Sequence, residues 1–332
     1  MTTKFHQLDE YVCDVQHRIG ATAAAIHIVQ NRKIVYESYS GKHDVNERSR
    51  DVDAVTQFNV GSIRKTYLAL AVSLLIERGL ITSVDDSVSH YIDKLPESAH
   101  KVTLRHLLTH SHGLAEHEGK IVQEFAAGED WSYRNVGIQL LFQIVTQLTG
   151  MTLSDFVAKE VLEPYGLSET GWHTASSEHL IYNYYSGPSN WLGPNDSAAG
   201  DQSNLFVSAR DLAQWGQLHL SRGVSGEGRQ LLPSSVFDRV TSLQTPRGVP
   251  ALQPRNGFIW WLQHQSPQNQ IGDRIPVGSY QVLGITGCAV LVIPAYNAVA
   301  VRMYNQLHNI ENYDYLEDIR TFGNLVSDAF RK

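Results

Sequence analysis

The longest apolar run in the chain follows Phe58-Asn-Val-Gly-Ser62-Ile-Arg-Lys65-Thr-Tyr67. It continues Leu68-Ala-Leu-Ala-Val-Ser-Leu-Leu-Ile76 and stops at Glu77-Arg-Gly79. Apolar residues fall on every side, so a helix over residues 62–79 is predicted to be buried all round. Gly79 suits the left-handed position that closes such a helix. Elsewhere the pattern is one-sided. Phe5, Leu8, Val12, Val15 and Ile19 step by three and four and predict an amphipathic helix ending at Gly20. Residues 23–29 and 33–39 read as strands of a hairpin turning through Gln30-Asn31-Arg32.

Thr103 is placed to cap a short helix over residues 104–108. Helices are predicted over 135–148, closed by Gly150, and over 153–162, stopped by Pro164 and Gly166. Ser208-Ala-Arg-Asp211 reads as a capping box for a helix reaching Leu220, and 233–243 as one more. Strands are then predicted at 257–264, 290–293 and 298–304, the last two turning through Pro294-Ala-Tyr-Asn297, before a closing helix over 315–330. Segments 40–56 and 81–96 are polar and irregular. Residues 172–200 lack a period but carry Tyr182, Tyr184, Tyr185 and Trp191. Such a loop is expected either to cover a substrate site or to pack as a surface flap.

Strands at both ends and helices between them predict an α+β architecture: one sheet from residues 1–60 and 205–332, and a helical domain over 61–204. With 332 residues, 42% of them hydrophobic, the chain can bury a large core. The net charge of −7 and the lack of a Lys/Arg-rich run argue against nucleic acid or an anionic membrane surface as partner. Two cysteines, Cys13 and Cys288, suggest neither a disulfide framework nor a C-x-x-C metal site. The first ten residues lack the apolar core of an export signal, and no run of eighteen apolar residues occurs. A cytoplasmic location is therefore expected.

Two polar groups interrupt the buried helix at its start. Ser62 and Lys65 stand three apart and share a face. A lysine beside a packed core loses hydration, which favours its neutral, basic form. A serine hydroxyl next to a base is an activated nucleophile. The helix N-terminus adds free N–H groups suited to a developing oxyanion. A bare S-x-x-K is also what an N-cap serine and a surface lysine look like, so the remaining motifs decide its weight.

Ser62-x-x-Lys65 followed by Tyr133-Arg-Asn135 resembles the serine β-lactamase and penicillin-binding-protein superfamily, and within it the class C-like branch of esterases, amide hydrolases and D-peptidases. Three further stretches carry the likeness: Thr103-Leu-Arg-His-Leu-Leu-Thr-His-Ser-His-Gly-Leu114, Trp131-Ser-Tyr-Arg-Asn-Val-Gly137 and Leu205-Phe-Val-Ser-Ala-Arg-Asp-Leu-Ala-Gln-Trp215. The resemblance implies an antiparallel sheet flanked by helices, an all-helical lobe, and an active site at their junction. It implies Ser62 as nucleophile, Lys65 as base, Tyr133 as proton relay to the leaving group, and Asn135 as a donor to substrate or a holder of Lys65. No cofactor is implied, and the expected partner is a small ester or amide.

The third family motif departs from the pattern. Relatives carry K-T-G or H-T-G; here the matching stretch is Leu283-Gly-Ile-Thr-Gly-Cys288. One alignment sets Thr286-Gly287 on T-G and gives an oxyanion-hole N–H to Cys288. The preferred one matches Gly284-Ile-Thr-Gly-Cys288 to G-I-H-G-Q and gives that N–H to Ile285, paired with that of Ser62. Thr286, Gly287 and Cys288 are then expected to meet substrate. Either alignment lacks the cation that meets a substrate carboxylate, which favours a neutral ester or small amide unless Arg64, Arg274 or Arg302 compensates.

Three other features are weighed against this reading. His106, His110, His112 and His117 cluster, with Glu116 close by, but lack the H-E-x-x-H order of a zinc site. Thr109-His-Ser-His-Gly113 resembles a nucleophile elbow around Ser111 without its first glycine. A homologue that keeps the fold and binds a ligand without turnover is the non-enzymatic alternative.

Overall fold

The computed structural model describes residues 4–185, 194–264, 271–307 and 313–331. A six-stranded antiparallel sheet organises it. In order across the sheet the strands are Lys33–Gly41, Ala23–Gln30, Ala298–Tyr304, Ala289–Ile293, Tyr280–Leu283 and Trp261–Leu262. Both ends of the chain therefore build one sheet. The Ala23–Gln30 strand shows why its sequence is nearly all apolar. Ala23, Ala25 and Val29 face the large core, while Ala24, Ile26 and Ile28 face a second core with the terminal helices His6–Ile19 and Tyr315–Arg331. A central strand covered on both faces has no polar side to show.

The Ala209–Leu220 helix packs on the other face, against the Ala289–Ile293 and Ala298–Tyr304 strands. Gly216 makes that approach possible: a Cβ there would stand 2.6 Å from a Val299 methyl and 3.0 Å from one of Val290. Ser208 caps this helix, its Oγ accepting from the Asp211 N–H at 3.0 Å. The Lys65–Glu77 helix is buried from Lys65 to Leu75. It ends in a Schellman turn, with Gly79 at φ 71° and the Leu80 N–H donating to the Leu75 carbonyl at 3.0 Å. The helices Leu104–Leu108, Val136–Thr149 and a longer one begun by Leu153–Val157 complete the helical part. One continuous apolar cluster joins that part to the sheet, from Leu141 and Ile144 through Leu70 and Trp215 to Val290.

Several expectations change. The buried helix does not begin at Ser62. Gly61–Arg64 is a 3₁₀ turn, and the α-helix starts at Lys65. The strand predicted at 257–264 is only Trp261–Leu262, because Ile259 takes a left-handed φ of 68° and breaks the pleat. Tyr280–Leu283, the small sheet of Gln57–Asn59, Leu205–Ser208 and Thr170–Trp172, and the hairpin of Leu114–His117 with Lys120–Gln123 are additional. The helix predicted over 153–162 continues past Leu162 to Tyr165 through a wide π turn and closes at Gly166. Of the aromatic 172–200 segment, residues 186–193 lie outside the described residues. Trp172 is buried, and Tyr184–Tyr185 pairs with Gln306–Leu307. Among the described residues no single helix is long and apolar enough to cross a membrane.

Candidate active site

Three separate segments meet at the start of the buried helix. The first is the Gly61–Arg64 turn, which carries Ser62. In a 3₁₀ turn, residues three apart align, so Ser62 and Lys65 still share a side. The helix behind them is clamped from the sheet side. Trp215 stacks on Tyr67 with ring centroids 3.8 Å apart, and its Nε1 donates to Thr66 Oγ1 at 3.0 Å.

The second segment is Trp131 to Asn135. Lys65 Nζ donates to Tyr133 Oη and to Asn135 Oδ1, each at 2.9 Å. Asn135 stands at the N-cap of the Val136–Thr149 helix but makes no side-chain cap, which leaves its amide free to hold Lys65. Tyr133 is 38% exposed as a residue, while its hydroxyl meets Lys65 and Ser62. Its ring packs on that of His110, centroids 4.4 Å apart, with Trp131 at 6.2 Å.

Lys65 is 2% exposed, and this decides its chemistry. Burial first, and the neighbouring Arg64 cation second, lower its pKa from 10.5 to about 7. Tyr133 moves the other way. Burial raises its phenol above the usual value, and the hydrogen bond with Ser62 and the Arg64 charge only partly offset this. Near pH 7 and above, the group ready to accept a proton is therefore the amine, with Tyr133 a neutral phenol between it and Ser62.

The third segment is the tight turn from Gly284 to Cys288, joining the Tyr280–Leu283 and Ala289–Ile293 strands. The Gly284 N–H donates to the Cys288 carbonyl at 2.8 Å and the Gly287 N–H to the Gly284 carbonyl at 3.0 Å. Gly284 has to be glycine: a Cβ would stand 2.2 Å from the Val60 carbonyl oxygen. This closeness brings Ile285 N to within 3.1 Å of where a Gly61 Cβ would sit. The Ile285 N–H has no acceptor among the described residues, and its side chain is 59% exposed.

Thr286, Gly287 and Cys288 stand differently from the sequence expectation. The side chains of Thr286 and Cys288 are buried under the turn, and Gly287 lies against the Tyr304 ring. The Cys288 thiol donates to the Tyr304 carbonyl at 3.4 Å, and burial pushes its pKa up to about 11. The side chains of Thr286 and Cys288 thus pack into the core rather than lining the Ser62 side of the turn.

The arginines separate clearly. Arg274 pairs with Asp328 on the closing helix, and Arg302 is buried against Asp318. Arg64 alone of the three lies by Ser62, with its Nε donating to Ser203 Oγ at 3.2 Å. Two of the histidines are held by local backbone hydrogen bonds. His106 Nδ1 accepts from the Thr103 N–H, and His112 Nδ1 from the Leu114 N–H. His110 sits under Tyr133. No group of three potential metal ligands forms among the described residues. Ser111 is buried and shares a hydrogen bond with Thr109. A cavity of about 340 Å³ lies away from these segments, bordered by His27, Arg32, Tyr165, Arg210 and Gln217.

A family model described as Beta-lactamase matches residues 8–322. The chain belongs to the beta-lactamase family. It shares 39% identity over 97% of its length, and 96% of the other chain's, with an uncharacterized protein of Alkalihalophilus pseudofirmus. Esterase EstB of Burkholderia gladioli is 26% identical over 51% of each chain. In structure the chain is similar to EstCE1, titled a hydrolase with promiscuous acyltransferase activity, at TM-score 0.75 and 17% identity, covering 97% of this chain and 98% of that one. It is likewise similar to a class C beta-lactamase at TM-score 0.78 and 17% identity, over 97% and 95%. The fold is thus that of the β-lactamases and the related serine hydrolases, an antiparallel sheet with helices on its faces.

Proposed function

We propose that this beta-lactamase-family chain is a serine hydrolase that works through an acyl-enzyme, with Ser62 as nucleophile, Lys65 as base and Tyr133 as proton carrier. One observation carries the reading: the Lys65 amine is buried, unpaired with any carboxylate among the described residues, and bonded to the phenol that in turn meets Ser62. Ser62 Oγ attacks the substrate carbonyl carbon, and its proton passes through Tyr133 to the neutral amine. The carbonyl oxygen takes the negative charge, facing the N–H groups of Ser62 and Ile285. Collapse of that intermediate breaks the bond to the leaving group, which receives a proton back through Tyr133. Water, or another hydroxyl acceptor, then attacks the acyl group and regenerates Ser62.

The substrate class follows from what the turn presents. Neither alignment of the turn supplies the relatives' cation, and its exposed tip carries the apolar Ile285 side chain, which favours an uncharged ester or small amide. The names of EstB and EstCE1 support the ester side of that choice. Asn135 has its Oδ1 engaged with Lys65, so its role here is to hold the amine.

An organophosphonate ester tests the nucleophile. The expected product is one adduct per chain, mapped by peptide mass spectrometry to Ser62, with p-nitrophenyl acetate turnover lost in proportion. An adduct at Ser111 would replace this assignment. Stoichiometric labelling of Ser62 in a protein without ester or amide turnover would favour the ligand-binding alternative.

A further inference from the structure

The strand Ala298–Tyr304 reads Ala-Val-Ala-Val-Arg-Met-Tyr and is buried throughout. A single arginine in such a strand needs a reason. The Arg302 side chain is 0% exposed and its partner Asp318 is 2% exposed. Nη1 donates to Asp318 Oδ1 at 2.9 Å, and Nη2 lies 2.8 Å from Oδ2. Two phenols complete the carboxylate: Tyr11 donates to Oδ1 at 2.9 Å and Tyr313 to Oδ2 at 2.5 Å. Removing a charge pair from water is costly, and an apolar pair of similar volume is often as stable.

What the pair does besides is point Arg302 Nε at the active-site turn. It donates to the Gly287 carbonyl at 3.2 Å. Three residues before Asp318, the Tyr315 hydroxyl donates to the Gly284 carbonyl at 2.9 Å. The carbonyls at the two ends of the Gly284–Gly287 turn are thus each held by a side chain, and the Ile285 N–H belongs to the same peptide unit as the Gly284 carbonyl.

We infer that Tyr315, Arg302 and Asp318 are positioning residues for the oxyanion hole: they lock the Gly284–Gly287 turn so that the Ile285 N–H stays aimed at the reacting oxygen. This rests on the acyl-enzyme reading and assigns the closing helix Tyr315–Arg331 a part in it. A backbone N–H cannot be deleted by a side-chain change, but its aim can be loosened. A donor displaced by a fraction of its bond length loses much of its worth in a water-poor site.

The test is Tyr315→Phe, which removes one hydroxyl and leaves the buried pair and the ring in place. Activity is expressed per site titrated with the phosphonate, so loss of folded protein does not enter. The expected result is a fall in kcat of about tenfold with KM changed by less than about twofold. Affinity for phenylboronic acid, whose adduct with Ser62 places an oxygen in the same position, weakens by a factor similar to that in kcat. Arg302→Lys, which keeps the charge and shifts the Nε contact, moves kcat and boronate affinity in the same direction. Unchanged kcat and boronate affinity per titrated site in an active Tyr315→Phe enzyme would overturn the inference alone. A wild-type protein without turnover, or a Ser62→Ala protein with full turnover, would overturn the acyl-enzyme reading and this inference with it.

Discussion

Ser62→Ala lowers kcat for p-nitrophenyl esters by roughly 10⁵-fold or more, the scale seen when the nucleophile of an acyl-enzyme mechanism is removed. The hydroxyl and its hydrogen bond with Tyr133 are what is lost. Lys65 keeps its bonds to Tyr133 and Asn135, and Ser62 lies in a turn rather than at a helix cap, with no side-chain capping bond to forfeit. Stability therefore changes little, and substrate still binds, so KM moves far less than kcat. A melt alongside the kinetics separates the two effects. Unaltered turnover by a well-folded Ser62→Ala protein would remove Ser62 from the chemistry.

Lys65→Met lowers kcat/KM by about 10²–10⁴-fold, the usual contribution of a positioned general base, and it also stabilises the fold. The pKa drop from 10.5 to about 7 corresponds to roughly 5 kcal/mol spent on burying the amine. Below pH 7 the amine is charged both folded and unfolded, so that cost is complete. As pH rises from 7 toward 10.5 the folded amine is neutral while the unfolded one still holds its proton, and the cost fades. Methionine has similar length and no charge. It leaves Tyr133 Oη and Asn135 Oδ1 without the lysine, at about 1–3 kcal/mol each, so the net gain is on the order of 1–2 kcal/mol at pH 6. It shrinks from pH 7 upward by about 1.4 kcal/mol per pH unit and reverses before about pH 9. Urea midpoints of the two proteins across this range check the sign: the wild type approaches the variant as pH rises.

Much of the fold is legible in the sequence because burial on both faces leaves a strong mark. Residues 23–29 and 298–304 are almost wholly apolar, and the strands they form lie side by side at the centre of the sheet. The elements that escaped are short or polar. Gln57–Asn59 carries two buried amides, and Tyr280–Leu283 includes Gln281, fully buried in place of an apolar residue. No alternation survives in runs this brief. The 257–264 segment looks strand-like by composition, yet the left-handed φ at Ile259 interrupts it.

The site divides along similar lines. Ser62 and Lys65 are neighbours in sequence, and their spacing alone suggests a pair. Tyr133 lies 68 residues from Lys65 and could be reached only through the family resemblance. The hydrogen bond from the Lys65 amine to the Tyr133 phenol is a contact that spacing does not reveal. Thr286 and Cys288 looked like cleft residues because the motif surrounds them, but a tight turn sends alternate side chains to opposite sides, and theirs go into the core. The pairing of Arg302 with Asp318 is not legible from residue type, since each reads as ordinary surface charge and they lie on different elements. Its signal was present all the same: one arginine inside seven consecutive residues of an otherwise apolar strand.

The most direct test is the proton affinity of one amine. Lysines labelled with ¹³C at Cε, compared with the Lys65→Met protein to assign the missing signal, give the Lys65 titration by NMR. A midpoint near 7, matched by a single-proton rise in kcat/KM over the same pH range, is the predicted result. A Lys65 signal that stays that of an ammonium beyond about pH 9.5, close to a free lysine, would contradict it.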